Sequence, residues 1–124
     1  MSHDLHATPH EVNTEARALI LAGKPIPSDL AGKVTAMNLW NTEVTDLTPL
    51  AGLTALQKLH LAYTEVTDLT PLAGLTALQT LYLQNTKVTD LAPLAGLTAL
   101  QELHLAYTEV TDLTPVKHVK HLYR

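Results

Sequence analysis

The apolar positions of this chain follow a pattern that belongs to neither one helix nor one long strand. In the stretch LQKLHLAYTEVTDLTPLAGLTA, residues 56–77, they are Leu56, Leu59, Leu61, Val66, Leu69, Leu72 and Leu75. Leu59 and Leu61 are two residues apart, which puts both side chains on one face of a short strand and turns Lys58, His60 and Ala62 to the other. From Val66 onward the step becomes three, a spacing that suits a tight 3₁₀-like segment returning along the opposite side. The unit then recurs: the apolar pair stands at Met37/Leu39, Leu59/Leu61, Leu81/Leu83 and Leu103/Leu105, a period of 22 residues. Residues 56–71 differ from 100–115 only in carrying Lys58 where the other stretch has Glu102. Four repeats are expected, at 34–55, 56–77, 78–99 and 100–121, with 122–124 as the C-terminal end. One coil cannot bury its leucines alone, whereas stacked coils bury them against each other and align the strands as a parallel sheet.

The unit LxxLxLxxTxVTDLTPLAGLTA resembles the 22-residue leucine-rich repeats of bacterial internalins, over roughly residues 34–121. The resemblance implies an α/β repeat solenoid: a right-handed leucine-rich repeat coil with a short parallel β-sheet on the concave face, 3₁₀ or turn segments on the convex face, and a bacterial protein-recognition role. That family usually places asparagine at the turn after the strand, where its amide bonds neighbouring backbone as a ladder. Here the column is Thr42, Thr64, Thr86 and Thr108. A threonine hydroxyl has fewer bonds to offer, so the ladder is expected in weaker form.

Both ends of a solenoid expose core unless they are covered. Asn13 or Thr14 is placed to start a short helix that Gly23 and Pro25 end, so residues 13–33 read as a helical cap with Leu19 and Ile20 over the first coil. Residues 1–12 read as a mobile tail. Toward the C-terminus Val116, Val119 and Leu122 keep the apolar spacing, while Lys117, His118, Lys120 and His121 replace small residues of earlier repeats. No fifth Leu-x-Leu follows, so the strand Leu103–Leu105 is expected to be an open edge available for homodimer pairing.

Function on such a framework should sit where the coils differ. The outward columns are Ala36, Lys58, Thr80 and Glu102; Asn38, His60, Tyr82 and His104; and Trp40, Ala62, Gln84 and Ala106, with Asn41, Tyr63, Asn85 and Tyr107 beside them. Trp40, Tyr63, Tyr82 and Tyr107 thus fall at strand or strand-edge positions, and aromatic side chains are favoured interface anchors. Together with Lys58, His60, Gln84, Glu102 and His104 they form the candidate surface for a protein or peptide partner. The bland reading of the same residues is that large side chains simply cover a sheet.

Composition narrows the alternatives. A formal charge of −4 on 124 residues lacks the basic footprint that nucleic acid or an anionic membrane requires. No apolar stretch is long enough to span a bilayer, and no secretory signal is visible, which makes the cytoplasm the default expectation. With no cysteine, disulfides, thiolate nucleophiles and cysteine metal sites all drop out. Among the seven histidines, His60 and His104 lie two strands apart, about 9.6 Å at about 4.8 Å per strand, with Tyr82 between them, so a shared metal is not expected. His118 and His121 would supply only two ligands, and His3, His6 and His10 fall in the expected tail. The column Asp46, Asp68, Asp90 and Asp112 reads as backbone capping ahead of each return segment, not as a cation ladder. There is no Gly-rich phosphate loop, nucleophile elbow or His-Glu-x-x-His, so the chain reads as a binding scaffold without a cofactor and not as an enzyme. A reading of another class stays open: a structural or self-associating repeat module, a fragment of a larger array or a consensus-designed scaffold, with no evolved ligand.

Overall fold

The computed structural model describes residues 8–124. Helix α1 (Pro9–Leu21) and the single helical turn α2 (Ser28–Ala31) precede five three-residue strands: β1 (Ala36–Asn38), β2 (Lys58–His60), β3 (Thr80–Tyr82), β4 (Glu102–His104) and β5 (His121–Tyr123). The strands pair in parallel in chain order, with Met37, Leu59, Leu81, Leu103 and Leu122 in one register. Between strands the chain returns through 3₁₀ turns at Thr48–Leu50, Thr70–Leu72, Ala92–Leu94 and Thr114–Val116. The coil is right-handed, the hand that parallel crossover connections take.

The core is the column of repeated leucines. Leu59, Leu61, Leu72, Leu75, Leu78, Leu81, Leu83 and Leu94 have no exposed surface. Each of the four aspartates accepts the N–H two residues ahead (Thr48, Thr70, Ala92, Thr114) at 2.9, 2.9, 2.9 and 3.0 Å, an Asx turn that launches the 3₁₀ segment. The threonine column behaves differently from an asparagine ladder. Thr42, Thr64, Thr86 and Thr108 each donate to the carbonyl three residues back in their own coil, at 2.7, 2.6, 2.7 and 2.7 Å. Coil-to-coil bonding after the strand is carried instead by backbone, as in Asn41 N–H to Ala62, Tyr63 N–H to Gln84 and Asn85 N–H to Ala106.

Two expectations are corrected. Helix α1 starts at Pro9 and not at Asn13 or Thr14: Thr8 is the N-cap, its hydroxyl oxygen accepting the Glu11 N–H at 3.2 Å and its hydroxyl donating to the Glu11 carboxylate at 3.0 Å. Thr8-Pro9-His10-Glu11 is a capping-box sequence, a stronger start signal than Asn13. Residues 9–12 of the expected tail are therefore helical; its residues 1–7 lie outside the described residues. Val12, Ala16 and Ile20, four apart, form the buried stripe of α1, and Gly23 at φ 71° ends it, with Gly23 N–H bonded to Ile20 and Lys24 N–H to Leu19.

The second correction concerns the far end. The strand at Leu103–Leu105 is not an edge, because β5 pairs with it, Glu102 opposite His121 and Leu103 opposite Leu122. The offset there is 19 residues, against 22 between earlier strands. The last coil is three residues short after its 3₁₀ turn, so Leu122 takes the strand position instead of the pre-strand position that a constant period assigns it, and a boundary at 121/122 falls inside β5.

Candidate functional site

Three-residue strands present two concave positions each. The first row runs Ala36, Lys58, Thr80, Glu102, His121, and the second Asn38, His60, Tyr82, His104, Tyr123. In the second row the parallel register stacks the rings of His60, Tyr82, His104 and Tyr123 face to face, each neighbouring pair with centroids 4.5 Å apart and planes within 18°. The stack covers the backbone of β2–β5 and offers a flat, half-buried shelf. Tyr82 separates the two imidazoles, as the strand spacing predicted. Tyr123 joins the shelf although a repeat count alone does not place it there.

Polar contacts fix the shelf. Glu102 lies 2.8 Å from His104 Nε2, and the Tyr82 hydroxyl points at the same carboxylate at a long 3.5 Å. The His104 hydrogen bond is the main cause that holds the Glu102 carboxyl below its ordinary value. His60 Nδ1 accepts the Ala62 N–H at 3.4 Å. Burial foremost, then the neighbouring His104 and Lys58, hold the His60 pKa below the usual imidazole value. The structure thus brings Lys58, His60, Tyr82, Glu102 and His104 together on the strands.

The remaining candidates sit elsewhere. Trp40, Tyr63, Gln84 and Tyr107 lie in the bends after the strands, not on the sheet. The column Asn41, Tyr63, Asn85 and Tyr107 adopts φ of 55–60°, the left-handed region. Asparagine tolerates that conformation; tyrosine seldom adopts it. Tyr63 meets Trp40 edge to face at 6.2 Å, and both remain half exposed. Tyr107 is 85% exposed. Gln84 is half-buried, and its Oε1 is buried with no partner among the described residues, while Ala62 at the equivalent position is fully buried. As for the other histidines, His118 bonds the Leu97 carbonyl at 2.9 Å behind the sheet, whereas His121 is on β5, so the two do not converge.

At the other end, α1 walls off the sheet. Asn13 Oδ1 accepts the Thr35 N–H at 3.2 Å, and Arg17 Nε donates to the Asn38 carbonyl at 2.7 Å, which ties α1 to two backbone groups at the otherwise open edge of the sheet. Because the β1 side chains on this face, Ala36 and Asn38, are short, a groove of about 590 Å³ remains between α1 and the sheet, reaching Lys58, His60 and Tyr82.

Comparisons with known proteins agree with this architecture. A family described as leucine-rich repeats, two copies, matches residues 76–118. An internalin C2 of Listeria monocytogenes is 36% identical with a TM-score of 0.70, covering 82% of this chain and 46% of its own. An internalin of the same organism, inlF, is 25% identical with a TM-score of 0.77, covering 97% of this chain and 40% of its own. A leucine-rich repeat protein of Leptospira interrogans, 21% identical with a TM-score of 0.66 over 79% of this chain and 27% of its own, shares the fold. The chain spans less than half the length of these solved structures. Comparison with curated proteins gives no match. The leucine columns, the parallel one-strand-per-coil sheet and these similarities together make the chain a leucine-rich repeat protein that resembles the internalins.

Proposed function

We propose that this chain is a protein- or peptide-binding scaffold that receives its partner on the concave sheet. The stacked row His60, Tyr82, His104 and Tyr123 is the observation that carries the reading. Four rings held in register by the backbone lose little further freedom on binding, and rigid aromatic surfaces with polar tips are effective anchors for that reason. Solenoids present such rows because each coil contributes one residue at a fixed interval. The fold supports binding in general; the choice of the concave row rests on the stack. What the row offers is aromatic faces with polar tips, and the reading is therefore recognition.

Selection from a random peptide library displayed on phage tests this. Enriched peptides should lose at least about 10-fold in affinity against Tyr82→Ala or His104→Ala, the size of a single aromatic anchor's contribution. The variants should keep a native far-UV spectrum. Peptides that bind all variants equally well would place recognition off the concave face.

A further inference from the structure

The groove between α1 and the sheet has a lining whose hydrogen-bonding capacity is lopsided. Asn13 and Asn38 each spend their side-chain oxygen on a backbone N–H, Thr35 at 3.2 Å and Trp40 at 3.0 Å. A backbone N–H can only donate, so these contacts fix which atom of each amide is the oxygen and leave both NH₂ groups as donors. Arg17 is held at the rim by its Nε bond to the Asn38 carbonyl, and its terminal nitrogens make no hydrogen bond among the described residues. Lys58 is exposed on the adjoining strand. His60 spends Nδ1 as an acceptor toward Ala62, which leaves its Nε2 as the donor. Acceptor capacity remains on the Thr14 and Tyr82 hydroxyls, on the His10 ring and on the second lone pair of each amide oxygen. Among the described lining residues there is no carboxylate.

A donor-rich lining that includes the cations Arg17 and Lys58 and no carboxylate, in a chain of net charge −4, favours an anionic, acceptor-rich ligand. We infer that this groove is an anion site that takes an aspartate or glutamate side chain of an extended peptide crossing the concave sheet. The inference rests on the concave-face reading and adds the chemistry of the residue recognised. A peptide is favoured over a free anion because the groove opens directly onto the ring stack through His60 and Tyr82, so a chain anchored by its carboxylate continues over aromatic faces. Its volume of about 590 Å³ lies within the range of ligand-sized sites.

The test is an NMR titration of the full chain with an acetylated, amidated peptide carrying glutamates on either side of a tyrosine, run beside the same peptide with glutamines and beside sodium acetate and phosphate alone. The glutamate peptide should shift the side-chain N–H signals of Asn13, Arg17 and Asn38, and should bind at least about 10-fold more tightly than the glutamine peptide, as charge-assisted bonds require. Lys58→Gln should erase most of that difference. If both peptides bind the sheet equally, the anion site is overturned while concave-face binding stands. If neither peptide shifts the groove signals, the site is overturned, and the phage selection decides the concave face separately. If acetate or phosphate alone reproduces the shifts at the same affinity, the peptide occupant is overturned in favour of a small anion.

Discussion

Replacing Tyr107 by asparagine should stabilise the protein although it removes a large side chain. Tyr107 is held at φ 57°, where an L-residue's Cβ crowds the following carbonyl at about 1–2 kcal/mol. Asn41 and Asn85, at the same place in other coils, adopt φ of 55° and 57° with a residue type that tolerates it. The opposing term is burial. With Tyr107 85% exposed, only about 30 Å² of the roughly 200 Å² a tyrosine can bury is removed from water, about 0.7 kcal/mol at about 25 cal/mol/Å². Asparagine keeps part of that, so the net gain is about 0.5–1 kcal/mol, or about 2–4 °C in Tm for a domain of this size. Tyr63→Asn supplies the contrast. It shares the conformation at φ 60°, but it is 52% exposed and edges Trp40. Its loss removes about 100 Å², about 2.5 kcal/mol before what asparagine retains, and should be destabilising by about 1 kcal/mol. Urea unfolding followed by circular dichroism measures both. A Tyr107→Asn protein less stable than the parent, or a Tyr63→Asn protein that gains as much as it does, would refute the balance of strain against burial.

Three further outcomes follow from the packing. Leu81→Ala, at a fully buried site in the central strand, should cost about 3–4 kcal/mol in urea unfolding, because the rigid register on both sides limits collapse of the cavity. Gln84→Ala should be neutral or stabilising by up to about 1 kcal/mol, since it removes a buried unpartnered oxygen and installs the residue found at 62 and 106; a clear loss in the same assay would mean that the amide holds its bend. Acid should weaken the fold in two ranges. The folded state holds His60 below its ordinary pKa, so the unfolded chain takes up that proton first and stability falls as pH drops from above the usual imidazole value toward the depressed one. Asp46 and Asp68, lowered first by their threonine side chains, and Asp112, lowered first by the Thr114 backbone N–H, contribute stability above the usual aspartate range that is lost as pH falls through and below it. Tm measured against pH should show both declines, and His60→Gln should flatten the first.

The fold was legible because its information lies in spacing: a two-residue step at Leu59/Leu61 and three-residue steps from Val66 to Leu75 dictate strand and return turn without reference to distant residues. Extrapolating that spacing is also what hid β5. The period assigns Leu122 to the position of Leu78 and Leu100, whereas the chain saves three residues and uses Leu122 as the strand leucine. The alternation His121-Leu122-Tyr123, with an aromatic ring where His60, Tyr82 and His104 stand, was the signal to weigh against the count. The strand-borne half of the site, Lys58 to His104, followed from side-chain alternation. The bend-borne half did not, because nothing in a tyrosine announces a positive φ, and only the paired asparagines at 41 and 85 hint that the column turns there. The groove was invisible for a related reason. It depends on where α1 docks, and that follows from the Asn13 and Arg17 bonds to β1, which join residues 21 and 22 positions apart.

The same near-identity of coils lets charge set direction. Between residues 56–71 and 100–115 the one difference is Lys58 against Glu102, and both face the concave side in the same row, two strands apart. At about 4.8 Å per strand their backbones are separated by about 9.6 Å, the rise of about three residues of a peptide in the polyproline II conformation, whose side chains three apart share one face. A peptide crossing the sheet with its carboxylate over Arg17 and Lys58 therefore brings the residue about three positions further along over Glu102, where a lysine or arginine is favoured. Peptides with glutamate and lysine three apart should orient oppositely when the order of the pair is reversed. A nitroxide spin label on one peptide terminus should broaden the signals of α1 in one case and of β5 in the other. In the exchanged protein Lys58→Glu/Glu102→Lys the acidic end should shift toward β4, while Arg17 continues to hold the groove. If the label broadens the same signals for both peptide orders, the lysine and glutamate are only solvated residues on the sheet, and the stacked rings alone determine how a peptide lies.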